Sequence, residues 1–123
     1  MKFKINTREK FHAITINETT LAANMTAELD NCLDKVQQNG VKNVVLNLKD
    51  IKIIDNAAAE HLVKKQQSFY EQSVSFVICS LSPEAEKSLD ESGLLELMNI
   101  TTTESEAGDI VQMEEIEREL LDE

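Results

Sequence analysis

The 123-residue chain predicts an α/β fold with a mixed, mostly parallel sheet, an N-terminal hairpin and about four helices. Three observations carry that prediction. Short apolar strands alternate with amphipathic stretches of helical length, as parallel sheets with crossover helices require. Residues 43–48 (N-V-V-L-N-L) are nearly continuously apolar, as strands covered on both faces are. Ser82-Pro83-Glu84 and Thr103-Glu104-Ser105-Glu106 carry the N-cap and capping-box chemistry that starts a helix.

Each element follows from local pattern. Residues 2–7 and 11–17 are alternating runs separated by Arg8-Glu9-Lys10. Phe3 and Ile5, then Phe11, Ala13 or Ile14, and Ile16, suit a hairpin with one buried face. Residues 21–39 place Met25, Leu29, Cys32, Leu33 and Val36 on one helical stripe, with Gly40 at the C′ position. After the 43–48 strand, Ile51, Ile53 and Ile54 continue the apolar stretch to Asp55. A second helix spans about 56–71, with Ala59, Leu62, Val63, Gln66 and Tyr70 inward and Ala57, Glu60, His61 and Lys64 on another face. Residues 74–79 form a β-branched-rich strand. The Ser82 helix turns Ala85 and Leu89 to the core and closes at Gly93, and 98–101 is a short last strand. A final acidic helix, about 104–122, carries an inward stripe of Ile110, Met113, Ile116 and Leu120. The order β-β-α-β-α-β-α-β-α makes residues 1–123 one domain.

Composition excludes several functions. Twelve Lys and Arg stand against 23 Asp and Glu, a net charge of −11. Nucleic acid and anionic membrane surfaces repel such a chain. The three glycines, Gly40, Gly93 and Gly108, are too dispersed for a dinucleotide fingerprint or a P-loop. No apolar run has the length of a signal peptide's core or a membrane span. Cys32 and Cys79 fall on regular elements and read as buried free thiols, which suits a reducing cytoplasm.

The search for catalytic or metal-binding sets returns little. His12 alternates within a strand and is expected at a surface or edge position. His61 has no second histidine four residues away, so no zincin pair exists. No metal and no cofactor are expected. An enzyme would require His61 with Asp55 or Glu60 in a concave pocket. A receiver-type phosphoacceptor at Asp55 would require further carboxylates for Mg²⁺ at the end of the first strand, and residues 4–6 supply none.

One segment has the geometry of a docking site. Asp55 ends the strand region and Asn56-Ala57-Ala58-Ala59 opens a helix directly after it. In open parallel sheets, ligands and partners meet the chain at the strand C-termini. Either Asp55 or Asn56 serves as N-cap, and capping alone is the simpler account of the pair.

The stretch from Leu46 through Ile54 to Asp55-Asn56-Ala57-Ala58-Ala59 resembles the signature segment of the STAS domain family, which includes the bacterial anti-sigma factor antagonists. The family pattern is an apolar strand, a short polar turn, two or three apolar residues, then Asp-Ser-Ser-Gly-Leu opening a helix. By that resemblance Asp55 matches the Asp and Asn56 the first Ser. Ala57 stands where the family carries the serine phosphorylated by a partner kinase, Ala58 replaces the Gly, and Ala59 the Leu. Ala22 likewise stands where many members have Asp.

The resemblance implies a non-enzymatic interaction domain that binds an anti-sigma factor or a related ATPase-domain kinase protein, with a homodimer also open. Alanine has no oxygen to accept a phosphoryl group, so the family's switch is missing from its usual place. The expected docking residues are Asn24, Asp55, Asn56, Ala57 and Ala58, extended by Glu60, His61 and Lys64. The alternative implied by the family is an accessory or ligand-sensing subunit of a transporter or lipid-transport complex. The acidity is concentrated at one end: residues 104–123 hold nine acids and Arg118 alone, whereas residues 1–103 are close to neutral. A solvated helix face accounts for that charge, and docking of a basic partner segment is the other reading.

Overall fold

The computed structural model describes residues 1–38 and 40–121. Strands β1 (Phe3–Thr7) and β2 (His12–Ile16) form the antiparallel hairpin, with Phe3 opposite Ile16 and Thr7 opposite His12. Strands β4 (Val44–Asn47), β6 (Phe76–Cys79) and β7 (Ile100–Thr101) add to it in the order β1-β2-β4-β6-β7, parallel from β2 onward. A separate parallel pair joins β3 (Thr20–Leu21) to β5 (Ile53–Ile54). The helices are α1 (Thr26–Gln37), α2 (Asn56–Glu71), α3 (Pro83–Glu91) and α4 (Glu104–Leu121).

Alternation along the strands divides the core between the two sheet faces. Ile14, Leu46 and Ile78 pack with Leu29 and Leu33 of α1, Leu62 and Phe69 of α2, and Leu89 of α3. Val45, Val77 and Cys79 face the other way and meet Ala107 and Val111 of α4. Phe69 stacks edge-on against Phe76 with ring centroids 5.0 Å apart. Burying a side chain of that size stabilises the fold by about 1.5–3 kcal/mol. Ser82 caps α3 as its sequence requires, accepting from the Ala85 amide at 3.2 Å, and its hydroxyl also donates to the Ile51 carbonyl at 2.7 Å. Gly93 closes α3 at φ +77°, a left-handed conformation that side chains disfavour.

Several expectations require correction. His12 is neither at the surface nor at an edge: β2 is an interior strand, and His12 is 1% exposed. Register puts it on the same face as Ile14 and Ile16. Its Nε2 donates to the Val41 carbonyl at 2.8 Å, and its Nδ1 lies 3.0 Å from the Thr7 hydroxyl. The first helix begins with a single 3₁₀ turn (Ala23–Met25), and α1 proper starts at Thr26. Its C-cap is Gln38, so the C′ position falls on Asn39, which lies outside the described residues. In α2, Phe69 turns inward and Tyr70 is exposed, because a tyrosine hydroxyl with no buried partner costs more than a solvated one.

The largest correction concerns α4. Its core face is Ala107 and Val111, with Ile110 partly buried, whereas Met113, Ile116 and Leu120 point into solvent. Asparagines fix this rotation. Asn43, Asn47 and Asn99 donate side-chain hydrogen bonds to Glu115, Glu104 and Glu114 at 2.6, 3.3 and 3.1 Å. Arg118 donates to the Ser75 hydroxyl at 3.1 Å. Gly108 lets the Phe11 ring lie close: a Cβ there would stand 3.0 Å from Phe11 Cε1. Small residues and polar anchors therefore hold this helix down. The predicted end at 122 lies outside the described residues.

Candidate docking surface

The β3–β5 pair builds the site. The Lys52 amide donates to the Thr19 carbonyl at 2.7 Å, and the Asp55 amide to the Leu21 carbonyl at 3.0 Å. These bonds bring the 3₁₀ turn that carries Asn24 against the start of α2, although the two are some thirty residues apart in sequence. Two-residue strands leave almost no periodic signal, so this pairing escapes a reading of the sequence alone.

Asp55 is the N-cap of α2. Its backbone is extended (φ −64°, ψ 141°), and its Oδ1 accepts from the Ala57 amide at 2.9 Å. That bond satisfies one of the amides left free at a helix start, and a carboxylate there also complements the helix dipole. Asn56 is thereby the first helical residue rather than the cap. Asn24, Asp55, Asn56 and Ala57 are all exposed, and Glu60 and Lys64 continue the exposed face one and two turns further along. Ile53, part of the apolar stretch that runs up to Asp55, is 60% exposed two residues before it. Strand alternation with the buried Ile54 is the signal that separates the two.

Two of the expected docking residues occupy different positions. Ala58 is fully buried against the core, so it supports the surface from beneath and offers nothing to a partner. His61 is half-buried and turned toward α1, with Nε2 2.7 Å from Asp30 Oδ1; Lys65 Nζ lies 3.3 Å from the same oxygen. This cluster ties α2 to α1 and takes His61 out of any pairing with Asp55 or Glu60. Helical spacing alone could not show it, because the deciding carboxylate belongs to another helix.

Surface clefts lie elsewhere. One of about 440 Å³ is bordered by Arg8, Phe11, Glu104 and Gly108, and one of about 530 Å³ by Lys42, Gln72, Glu115 and Arg118. Both sit beside α4, and charged side chains line much of their walls. Among the described residues, no group of three or more His, Cys, Asp or Glu is placed to hold a metal ion, and no helix is long and apolar enough to cross a membrane. Cys32 and Cys79 are free and buried, on opposite faces of the sheet, and burial pushes both thiols up from their usual value.

The architecture is thus an α/β domain with four helices, a mixed sheet and an exposed rim where a helix N-terminus meets a neighbouring turn. The chain belongs to the STAS domain family, whose model matches residues 2–107. Solved structures share the fold at low identity. A serine-to-glutamate variant of RsbS from Moorella thermoacetica superposes with a TM-score of 0.73 at 18% identity, covering 91% of this chain and 96% of that one. A STAS domain protein from Planctomyces limnophilus gives 0.74 at 18% identity, covering 89% and 97%. The anti-sigma factor antagonist SpoIIAA in its unphosphorylated form gives 0.68 at 18% identity, covering 90% of this chain and 96% of that one.

Proposed function

We propose that this chain is a non-enzymatic interaction domain that docks an anti-sigma factor, or a related ATPase-domain kinase protein, in the manner of an anti-sigma factor antagonist. The observation that carries this reading is Ala57. It is exposed on the second residue of α2, its amide held by Asp55, at the position that resembles the family's phosphoacceptor serine. A methyl group there lets a partner approach closely and offers no oxygen for phosphorylation. In family members that carry the serine, phosphate adds about −1.5 to −2 charges at this point. Without it, the surface stays in the form that corresponds to the unphosphorylated, binding-competent state. Asn24, Asn56, Glu60 and Lys64 supply polar specificity around it, Ile53 adds apolar contact, and the setting is the cytoplasm.

The test is to capture partners on the purified chain from native cytosol and to repeat the capture with Ala57→Glu. A glutamate in the first turn favours the helix, so the variant keeps its fold while placing charge where phosphate would stand. Recovery of an ATPase-domain protein by the wild type, and its loss with Ala57→Glu, supports the reading. Equal recovery by both chains, or recovery of a permease complex instead, overturns it.

A further inference from the structure

The outward face of α4 has no role in the docking surface described above, and it lies on the opposite face of the sheet. An α-helix that packs on a sheet normally presents one apolar stripe inward and a polar face to solvent. Here the core is served by Ala107 and Val111, and a second stripe faces away from it. Met113, Ile116 and Leu120 are 55, 49 and 67% exposed, at the i, i+3, i+7 spacing of a helix seam.

The charges around that stripe have one sign. Glu106, Asp109, Glu117 and Glu119 are exposed, whereas the helix's only base, Arg118, is drawn inward onto Ser75. Glu104, Glu114 and Glu115 are held by the sheet's asparagines, so they fix the helix and leave the outer stripe free. The result is an apolar seam between acidic flanks, anchored so that it cannot roll inward.

We propose that this face of α4 docks a basic amphipathic helix of a partner protein, whose apolar residues cover Met113, Ile116 and Leu120 while its Lys and Arg meet the acidic flanks. Charge selects this occupant. A second copy packed helix to helix would bring two acidic flanks together, which like-charge repulsion opposes. An anionic lipid surface meets the same repulsion. A basic helix gains on both counts, with apolar burial along the seam and electrostatic attraction on either side.

The probe is a synthetic helical peptide of about five turns, with leucines at the same spacing and lysines elsewhere, titrated by fluorescence anisotropy against the full chain at physiological salt. The control peptide has the same composition with its leucines scattered. Saturable binding of the first peptide is expected. The triple variant Met113→Ser, Ile116→Ser, Leu120→Ser should weaken it by at least about tenfold, with circular dichroism unchanged because all three side chains are exposed. Replacing Glu117 and Glu119 with Gln should weaken it less and reduce its dependence on salt. Absence of saturable binding overturns the proposal, as does equal binding by the scattered peptide or by the triple variant. Sedimentation showing a wild-type dimer that the triple variant abolishes assigns the face to a second copy instead, and likewise overturns it.

Discussion

The Asp55 carboxylate accepts a hydrogen bond from the Ala57 amide at 2.9 Å, joining the cap of α2 to the residue that the proposed reading matches to the family's phosphoacceptor serine. The same amide that steadies the helix start therefore sets where the Ala57 side chain emerges. Asp55→Ala should cost about 1 kcal/mol of stability, read as a lower urea midpoint. Asp55→Asn should restore most of it, because an amide oxygen can accept the same bond. An unchanged midpoint in Asp55→Ala would show that the cap contributes nothing to the fold.

His12 fills an interior position with both ring nitrogens engaged. Replacing it with Leu keeps the apolar contacts but strands the Val41 carbonyl and the Thr7 hydroxyl. The expected loss is about 1–3 kcal/mol, whereas Thr7→Val, at a solvent-exposed strand position, should cost less. Chemical denaturation of the two variants side by side measures the difference.

Asn43 links three parts of the fold. Its amide nitrogen donates to the Lys10 carbonyl at 3.0 Å and to Glu115 at 2.6 Å, and its oxygen accepts from the Ser75 amide at 2.8 Å. Asn43→Ala should destabilise the chain by about 2 kcal/mol or more. Hydrogen exchange should then rise along α4 more than along α2, since of these two helices only α4 is bonded to this side chain. A uniform rise across both helices would contradict the anchoring role.

The two thiols make stability depend on alkaline pH. Burial raises both above the usual value of 9.0, with Ser80 opposing and Glu104 reinforcing the effect at Cys79. Below pH 9 both thiols are protonated whether the chain is folded or not, and the stabilisation is fully present. As pH rises past 9 the unfolded chain releases these protons first, so the folded state loses ground until the native thiols ionise too. Wild-type stability should therefore fall more steeply above pH 9 than that of a Cys32→Ala, Cys79→Ala variant. Parallel pH profiles would contradict this, as would rapid alkylation of either thiol in the native chain.

Much of the fold is legible because its signals are local. The pair Asp55-Asn56 marks the start of α2 and Ser82-Pro83 that of α3, since capping bonds span only two or three residues. The continuous apolar run of β4 and its neighbours similarly reads as interior sheet. The candidate docking surface is legible in part: Asp55, Asn56 and Ala57 follow from one contiguous segment. Asn24 beside them depends on a pair of two-residue strands, and the diversion of His61 depends on Asp30 of another helix.

The sequence by itself determined the order of the main strands and helices, the Ser82 cap of α3 and the acidic character of the last helix. Tertiary structure decided which way that helix turns. Residues 104–121 offer two apolar stripes, and pattern alone favours the bulkier one, Met113, Ile116 and Leu120. The sheet selects the other, because Asn43, Asn47 and Asn99 require the carboxylates of Glu115, Glu104 and Glu114, and Phe11 requires the space beside Gly108. A buried polar group without its partner costs more than an exposed methionine or leucine, and that difference sets the rotation of α4.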